Sequence, residues 1–361
     1  MKKNVLVAMS GGVDSSVACV LLKKDYNIIG VTLKLHEPPE TKCDRTKTCC
    51  SLEDVEDARS VAFNLNFPYF VFNFGDKFEE KVINRFTQSY LNGETPNPCI
   101  DCNRFIKFDA LLRRAEQLEQ DYVATGHYAR REYDEKSGRY LLKKAKDITK
   151  DQTYVLYSLT QEQLSKILFP LGNLEKTEVR KIALEHGFIN AQKPDSQDIC
   201  FVPNGKYADF IKEYTKQEIP QGNFVDINGN VIGKHNGIVS YTIGQRKGLG
   251  ISSSEPYYVV AKDPITNTVT LGREHDLYRN CLIANDLNWI SIEKLTGPMK
   301  VTAKTRYSQK EQPATITPLD DDTVLVTFDE PQRAITKGQA VVFYDGDLVV
   351  GGGTIKDSKN I

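Results

Sequence analysis

The octapeptide Ala8-Met9-Ser10-Gly11-Gly12-Val13-Asp14-Ser15 has the residue types of a phosphate-binding loop. It lies between a short apolar run that suits a buried strand and a stretch with apolar residues on one helical face. Adjacent glycines permit positive φ angles and close approach of the backbone to a ligand. Free N–H groups at the start of a helix attract anions, and the serines add hydroxyl donors. A carboxylate beside phosphate is unfavourable unless it serves Mg²⁺ or orients a donor, so Asp14 indicates one of those roles. A plain turn is the alternative.

Three cysteines have spacings that indicate sulfur chemistry. Cys99 and Cys102 share a loop stiffened by two prolines, and Cys200 lies 98 residues after Cys102. A nearby helix N-terminus and the cations Arg104 and Lys107 favour a thiolate at Cys102. A thiolate or persulfide can attack an activated carbon, and a second thiol can resolve the persulfide as a disulfide. Two alternatives stay open: Cys200 as a buried packing residue, and the C-x-x-C pair as half of a zinc site.

The elements that position these residues change in character along the chain. Strand-like and helix-like patterns alternate over the first 200 residues, which predicts a parallel sheet covered by helices on both faces. After residue 205 glycine and proline become frequent, helical patterns vanish, and short strands follow one another. The predicted fold class is therefore α/β, a doubly wound parallel sheet followed by a small β-rich module and a β-barrel. The predicted domains are residues 1–205, 206–280 and 281–361. Predicted strands are residues 4–9, 28–35, 69–74, 122–125, 238–243, 257–261, 268–271, 301–305, 314–317, 323–328 and 340–344.

Composition narrows the class of protein. The chain has 361 residues, 47 basic and 48 acidic, for a formal net charge of −1. A 40% hydrophobic and 26% charged content is that of an ordinary globular protein. No apolar run approaches the length of a membrane span, and no secretory signal is expected at the N-terminus. We therefore expect a cytoplasmic protein with reduced thiols and no membrane partner.

Contact with nucleic acid would require a local basic patch, since the net charge is close to zero. Residues 130–150 hold eight basic and four acidic side chains. A solvated β-hairpin turned at residues 136–138 explains the same pattern. Tyr128, Tyr133 and Tyr140 fit either stacking on unpaired bases or packing within that hairpin.

The Ser-Gly-Gly-Val-Asp-Ser run resembles the fingerprint S-G-G-x-D-S of the PP-loop ATP pyrophosphatases, which cleave ATP between the α and β phosphates and adenylate an oxygen. Further segments narrow the resemblance, over essentially the whole chain, to the tRNA-specific 2-thiouridylases. These segments are residues 8–15, Asn97-Pro98 with Cys102-Asn103, and residues 124–128, 150–152, 195–201, 242–248, 306–307 and 337–339.

The resemblance implies that ATP, with Mg²⁺, adenylates the 2-oxygen of the wobble uridine in a tRNA anticodon stem-loop, after which sulfur displaces AMP. Cys200 would carry a persulfide delivered by a cysteine desulfurase or sulfur-relay protein, and Cys102 would be the paired nucleophile or resolving thiol. The residues implied to hold ATP are Ala8, Met9, Ser10, Gly11, Gly12, Val13, Asp14, Ser15, Leu33 and Gly126. Those implied to contact tRNA are Asn97, Pro98, Cys99, His127, Lys150, Asp151, Gln152, Arg306, Tyr307 and Gln339. We expect a monomer.

One departure from the family pattern suggests iron–sulfur chemistry as an alternative. The family commonly has Asp where this chain has Cys99. Cys99, Cys102 and Cys200 would then be candidate ligands of an iron–sulfur cluster with one iron left open, an alternative to metal-free persulfide chemistry. Cys43, Cys49 and Cys50 receive no role. Two other functions remain: a PP-loop synthetase acting on a small molecule, and a non-catalytic, ATP-containing RNA-binding or sulfur-carrier protein.

Overall fold

The computed structural model describes residues 2–36, 52–195, 199–202 and 205–360. Its first sheet has five parallel strands in the order β3-β2-β1-β4-β7, so the chain reverses direction across the sheet next to β1. That order places a ligand crevice at the carboxyl ends of β1 and β4. The strands are β1 (Asn4–Ala8), β2 (Asn27–Lys34), β3 (Tyr69–Asn73), β4 (Tyr122–Thr125) and β7 (Ile167–Leu168).

Helices cover both faces of this sheet and bury two apolar clusters, one containing Leu6 and Val31 and the other Val5 and Val7. Adjacent residues of β1 thus face opposite cores, as expected of a strand buried on both sides. The helices are α1 (Val13–Lys23), α2 (Leu52–Asn64), α3 (Gly75–Phe78), α4 (Asn84–Leu91), α5 (Pro98–Asp101), α6 (Leu111–Gln117), α7 (Gln161–Ser165) and α8 (Lys176–Glu185). Two π-helical stretches, Glu79–Ile83 and Cys102–Ala110, connect α3 to α4 and α5 to α6.

The middle of the chain corrects two sequence-based predictions. Helices do not vanish after residue 205. Helix α9 (Tyr207–Thr215) follows, and its Ile211 is buried in the apolar cluster that contains Leu6 and Val31. Residues 238–243 are not a strand. Ile238 and Val239 are both buried in a 3₁₀ turn, Ile238–Ser240, that follows Gly237 at φ +103°. A four-stranded sheet completes this part, in the order β10 (Tyr258–Asp263), β11 (Thr268–Gly272), β8 (Gly222–Val225) and β9 (Val231–His235).

The C-terminal part is a closed antiparallel barrel. Its strands follow the order β12-β15-β14-β13-β16-β17, and pairing of β17 with β12 closes the ring around a third apolar cluster. The strands are β12 (Tyr278–Trp289), β13 (Met299–Lys304), β14 (Gln312–Pro318), β15 (Val324–Arg333), β16 (Ala340–Asp345) and β17 (Leu348–Lys359). The α/β sheet, the β-rich module and the barrel confirm the predicted fold class.

The basic stretch at residues 130–150 begins with the predicted hairpin, β5 (Arg130–Asp134) and β6 (Arg139–Lys143). The hairpin joins the barrel sheet where Leu348 pairs with Lys143. The rings of Tyr133 and Tyr140 pack together at 4.9 Å, which favours the packing interpretation of these two residues. None of the helices in the described ranges is long and apolar enough to cross a membrane.

Candidate active site

The predicted phosphate loop joins the end of β1 to the start of α1. Gly11 has φ +74°, and a Cβ there would lie 2.5 Å from the main-chain oxygen of Asp54, so only glycine fits. Within the loop, the Ser15 hydroxyl accepts from the N–H of Ser10 at 3.2 Å and donates to the Gly12 carbonyl at 3.0 Å. The loop is therefore held in shape with the first N–H groups of α1 available to an anion.

The two residues implied to lie near the adenosine flank this loop. Gly126 follows β4 and packs directly on the start of α1, since a Cβ there would lie 2.8 Å from the main-chain nitrogen of Ser15. Leu33 is buried on β2, the strand next to β1. Both lie at the carboxyl edge of the sheet, where parallel α/β folds bind ligands.

A network of charged side chains extends from the loop. Lys176 Nζ lies 2.7 Å from both carboxylate oxygens of Asp14 and 2.8 Å from Asp195 Oδ1. The Tyr128 hydroxyl also donates to Asp14 at 2.8 Å, and Lys150 donates to the other oxygen of Asp195 at 2.8 Å. This network ties the phosphate loop to the segment that precedes Cys200.

The pKa shifts of Asp195 and Tyr128 agree with their positions in this charged network. Burial by itself would raise the pKa of Asp195, but hydrogen bonds from Lys150 and Lys176 outweigh burial and lower it. Burial and then the neighbouring Asp14 carboxylate raise the pKa of Tyr128, so its hydroxyl remains a donor.

Cys102 and Cys200 pack against the same apolar cluster. Cys102 is buried at the start of a π-helical stretch, a local geometry frequent at functional sites. The Asn97 side chain accepts from the N–H of Cys99 at 3.1 Å and caps α5, which precedes that stretch. Cys200 is half-buried, and its carbonyl lies 3.3 Å from His36 Nε2.

The barrel holds the loop that leads to Asn97. The N–H of Thr95 donates to the Lys337 carbonyl at 2.9 Å, and Gln339 Nε2 donates to the Thr95 carbonyl at 2.7 Å. Gly338, between them, has φ +84°, and a Cβ there would lie 2.9 Å from Glu94 Cβ. Two segments expected at the tRNA are thereby brought together although 244 residues separate Thr95 from Gln339.

Two more of those segments meet beside this loop. The Tyr307 hydroxyl donates to the Asp151 carbonyl at 3.3 Å. Burial raises the pKa of Tyr307, with smaller contributions from Asp151 and Cys99, so Tyr307 lies close enough to both to interact electrostatically. Gln152 and Tyr128 exchange hydrogen bonds, in which the Gln152 side chain accepts from the Tyr128 N–H at 2.9 Å.

The comparisons with known proteins agree with these observations. Residues 3–204 match the family model described as the tRNA methyl transferase HUP domain, residues 208–273 its PRC-barrel domain, and residues 279–355 the aminomethyltransferase beta-barrel domain. The chain is 55% identical over 99% of both lengths to the tRNA-specific 2-thiouridylase MnmA of Clostridioides difficile. It is 56% identical to that of Acetivibrio thermocellus, over 98% of this chain and 99% of the relative. The chain belongs to the tRNA-specific 2-thiouridylase family.

Within this family fold, the structure does not support the iron–sulfur prediction. In the ranges that the structure describes, no group of three or more His, Cys, Asp or Glu side chains is placed to hold a metal ion. Cys99 is exposed, Cys102 is buried and Cys200 is half-buried. Cys43, Cys49, Cys50 and residues 196–198 lie outside the described residues.

His127, one of the residues predicted to contact tRNA, lies in the core. Its side chain is buried between Phe108 and Phe169, and Nδ1 lies 2.7 Å from the Thr125 hydroxyl. Burial, and to a lesser extent Lys107, lowers the pKa of His127 well below its usual value. The imidazole is therefore neutral and largely enclosed, and its contact with tRNA stays a prediction.

Lys176 is the functional candidate that the sequence prediction missed. It is the first residue of α8, where the helix dipole disfavours a cation. Because a cation is unfavourable there, a lysine at the first position of a helix indicates that nearby carboxylates stabilise it. The two carboxylates come from residues 14 and 195, so spacing along the chain could not identify them.

Proposed function

We propose that this chain catalyses the ATP-dependent 2-thiolation of the wobble uridine of tRNA. The observation that carries the proposal is the phosphate loop with its linked Asp14–Lys176–Asp195 network beside a core that holds Cys102 and Cys200. The named 2-thiouridylases, matched along their whole length, support the same substrate.

In this proposal the N–H groups at the start of α1 and the hydroxyls of Ser10 and Ser15 bind the ATP phosphates. Asp14 is the residue that fits Mg²⁺, because its carboxylate adjoins the anion site and remains partly exposed. Bound there, Mg²⁺ would offset phosphate charge. Lys176 holds Asp14 in orientation and supplies positive charge beside the polyphosphate.

The chemistry requires three displacements, at phosphorus, at carbon and at sulfur. The uracil 2-oxygen attacks the α-phosphorus, the bond to the β-phosphate oxygen breaks, and pyrophosphate leaves. The terminal sulfur of a Cys200 persulfide then attacks C2, and AMP leaves with the oxygen. The Cys102 thiolate attacks the inner sulfur of the persulfide, which frees the thiocarbonyl and leaves a Cys102–Cys200 disulfide for a thiol reductant to reset. A cysteine desulfurase or sulfur-relay protein would supply the persulfide.

We place the target base at Asn97, Pro98 and Cys99. The tRNA backbone would cross the seam formed by residues 150–152, 306–307 and 339. We infer that residues 1–205 form the catalytic domain and that residues 206–280 and 281–361 form the two modules that accompany it. We further propose that the chain binds and modifies tRNA as a monomer in the cytoplasm.

The test is ATP cleavage measured as AMP release, with and without unmodified tRNA. We expect tRNA that carries the target uridine to raise AMP release at least tenfold, and tRNA with cytidine at that position to leave it at the basal rate. A small-molecule PP-loop synthetase would show no response to tRNA. Equal rates in all three reactions would therefore contradict the proposal.

Iron content separates the two sulfur mechanisms. We propose metal-free persulfide chemistry because the described cysteines do not converge on one centre. Protein reconstituted anaerobically with iron and sulfide should then be colourless after desalting and hold well under one iron per chain. Stoichiometric iron that is lost in Cys99→Ala would instead favour a cluster.

A further inference from the structure

Lys304 lies at the end of β13, on the seam between the barrel and the first part of the chain. Alternate residues of a strand face opposite sides. Val301 and Ala303 are buried in the barrel core, so Lys300 and Lys304 share the outer face. Lys300 is exposed, whereas residues of the first part cover much of Lys304. The two lysines therefore differ chiefly in their surroundings.

Two aromatic rings lie beside the Lys304 ammonium. Nζ lies 5.8 Å from the ring centroids of both Tyr154 and Tyr307, near the outer limit of cation–π contact. Among the residues with described positions, none forms a salt bridge or hydrogen bond with the Lys304 side chain. The neighbouring Lys144, by contrast, pairs with Glu311 at 2.7 Å.

The electrostatics of Lys304 agree with this geometry. Burial lowers the pKa of Lys304, and attraction to Asp151 and Glu311 offsets that effect only in part. A half-buried cation without a paired anion is unfavourable in the protein by itself.

Arg306, two residues along, provides an independent observation. Its guanidinium Nη2 donates to the carbonyls of Ile243 and Ala334 at 3.2 and 3.0 Å and to the Thr336 hydroxyl at 2.8 Å. No carboxylate in the described ranges pairs with it, and burial lowers its pKa. Within the described residues, the seam therefore holds two cations that are partly withdrawn from water and form no ion pair with a carboxylate.

We propose that Lys304 binds a backbone phosphodiester of the tRNA, next to the nucleotide that Asn97 to Cys99 receive. This inference rests on the proposed function and adds a specific contact to it. Tyr307 is 44% exposed and interacts with both Asp151 and Cys99, so an RNA strand that passes Tyr307 reaches Lys304 and the base pocket together. A single ammonium suits phosphate as a point charge and carries no sequence information.

The test compares Lys304→Met with the matched control Lys300→Met in the full chain. We measure the dissociation constant for unmodified tRNA between 50 and 300 mM KCl. Lys304→Met should weaken binding about five- to tenfold at low salt and reduce the slope of log K against log[KCl] by about 1, as loss of one phosphate contact does. Lys300→Met should match the wild type, and ATP affinity should be unchanged in both variants.

Lys304→Arg and thermal melting exclude a purely structural role. The arginine variant keeps the charge and should keep the wild-type salt slope. Lys304→Met should melt no lower than the wild type, because it removes a poorly compensated charge. A lower melting temperature, an unchanged slope, or the same loss in Lys300→Met would each overturn the assignment. Failure of the wild-type chain to bind tRNA at all would instead count against the proposed function.

Discussion

At the scale of single residues, the phosphate loop depends on Gly11, whose positive φ and close contact with Asp54 leave no room for a side chain. Gly11 and Gly12 were predicted to form a close-approach loop because their neighbours in sequence provide the strand, the helix and the hydroxyls. The structure confirms the loop and shows that Gly11 meets Asp54, a contact across 43 residues that no local pattern reveals. The enclosure of His127 by Phe108 and Phe169 likewise depends on tertiary packing, which the sequence around His127 does not show.

Replacing Gly11 by alanine tests the loop geometry. The positive φ costs about 1–2 kcal/mol for a residue with a Cβ, and the contact with Asp54 adds to it. We expect the free energy of unfolding to fall by about 2–4 kcal/mol and ATP binding to be lost. Gly138→Ala is the control, because its φ is also positive but nothing lies within 4 Å of the added Cβ. Urea unfolding of the two variants should differ, and equal losses would contradict the contact.

The buried His127 predicts a pH dependence of stability. Its pKa is lowered in the folded state, so below about pH 6.5 the unfolded chain binds a proton that the native protein does not. Stability should therefore decrease as the pH falls below 6.5, with a slope from this residue that approaches 1.4 kcal/mol per pH unit. Urea unfolding at pH 5.0 and 7.5 should show a smaller difference in His127→Gln than in the wild type. The same difference in both proteins would contradict a neutral, buried imidazole.

At the scale of elements, the sequence predicts the helices and strands that have a clear apolar periodicity. It does not predict which elements pack against one another. The strands β1 to β4 appear where the apolar runs predict them. Helix α9 was missed because its short apolar face, with Phe210 and Ile211, follows a stretch rich in glycine and proline. The contact of α8 with the phosphate loop through Lys176 likewise joins elements far apart in the chain.

Removing the Lys176 ammonium should uncouple α8 from the loop. Among the described residues, Lys176→Met leaves the Asp14 carboxylate with the Tyr128 hydroxyl as its one side-chain partner, next to the proposed ATP phosphates. We expect ATP affinity to fall at least tenfold and the free energy of unfolding to fall by about 1–3 kcal/mol. On the same helix, Lys181 is exposed, so Lys181→Met should stay within about 0.5 kcal/mol of the wild type. Calorimetry with ATP would contradict the role of Lys176 if both variants bound alike.

The barrel loop at residues 337–339 should affect tRNA binding by holding the loop that leads from Thr95 to Asn97. In Gln339→Ala the Thr95 carbonyl loses its donor, which is worth about 1 kcal/mol. We expect the KM for tRNA to rise about fivefold while ATP affinity is retained, since the phosphate loop lies elsewhere. Steady-state AMP release at varied tRNA measures both quantities. A changed ATP affinity with an unchanged KM for tRNA would reverse this assignment.

At the scale of the whole molecule, the fold class followed from the change in pattern near residue 205, but the joining of its parts did not. Hairpin β5–β6 belongs to the first part in sequence yet extends the barrel sheet. Through this junction and the Thr95–Gln339 contact, the barrel borders the candidate base pocket. Residues far apart in the chain thus meet at this junction, and no local sequence pattern shows that they do.

The most direct measurement is nucleoside analysis after anaerobic incubation of the chain with ATP, Mg²⁺, a persulfide donor and unmodified tRNA. The account predicts 2-thiouridine at the wobble position only when ATP is present, and its loss in both Cys102→Ser and Cys200→Ser while tRNA binding is retained. Wild-type protein that cleaves ATP and binds tRNA but forms no 2-thiouridine would contradict the account, as would full thiolation by both serine variants.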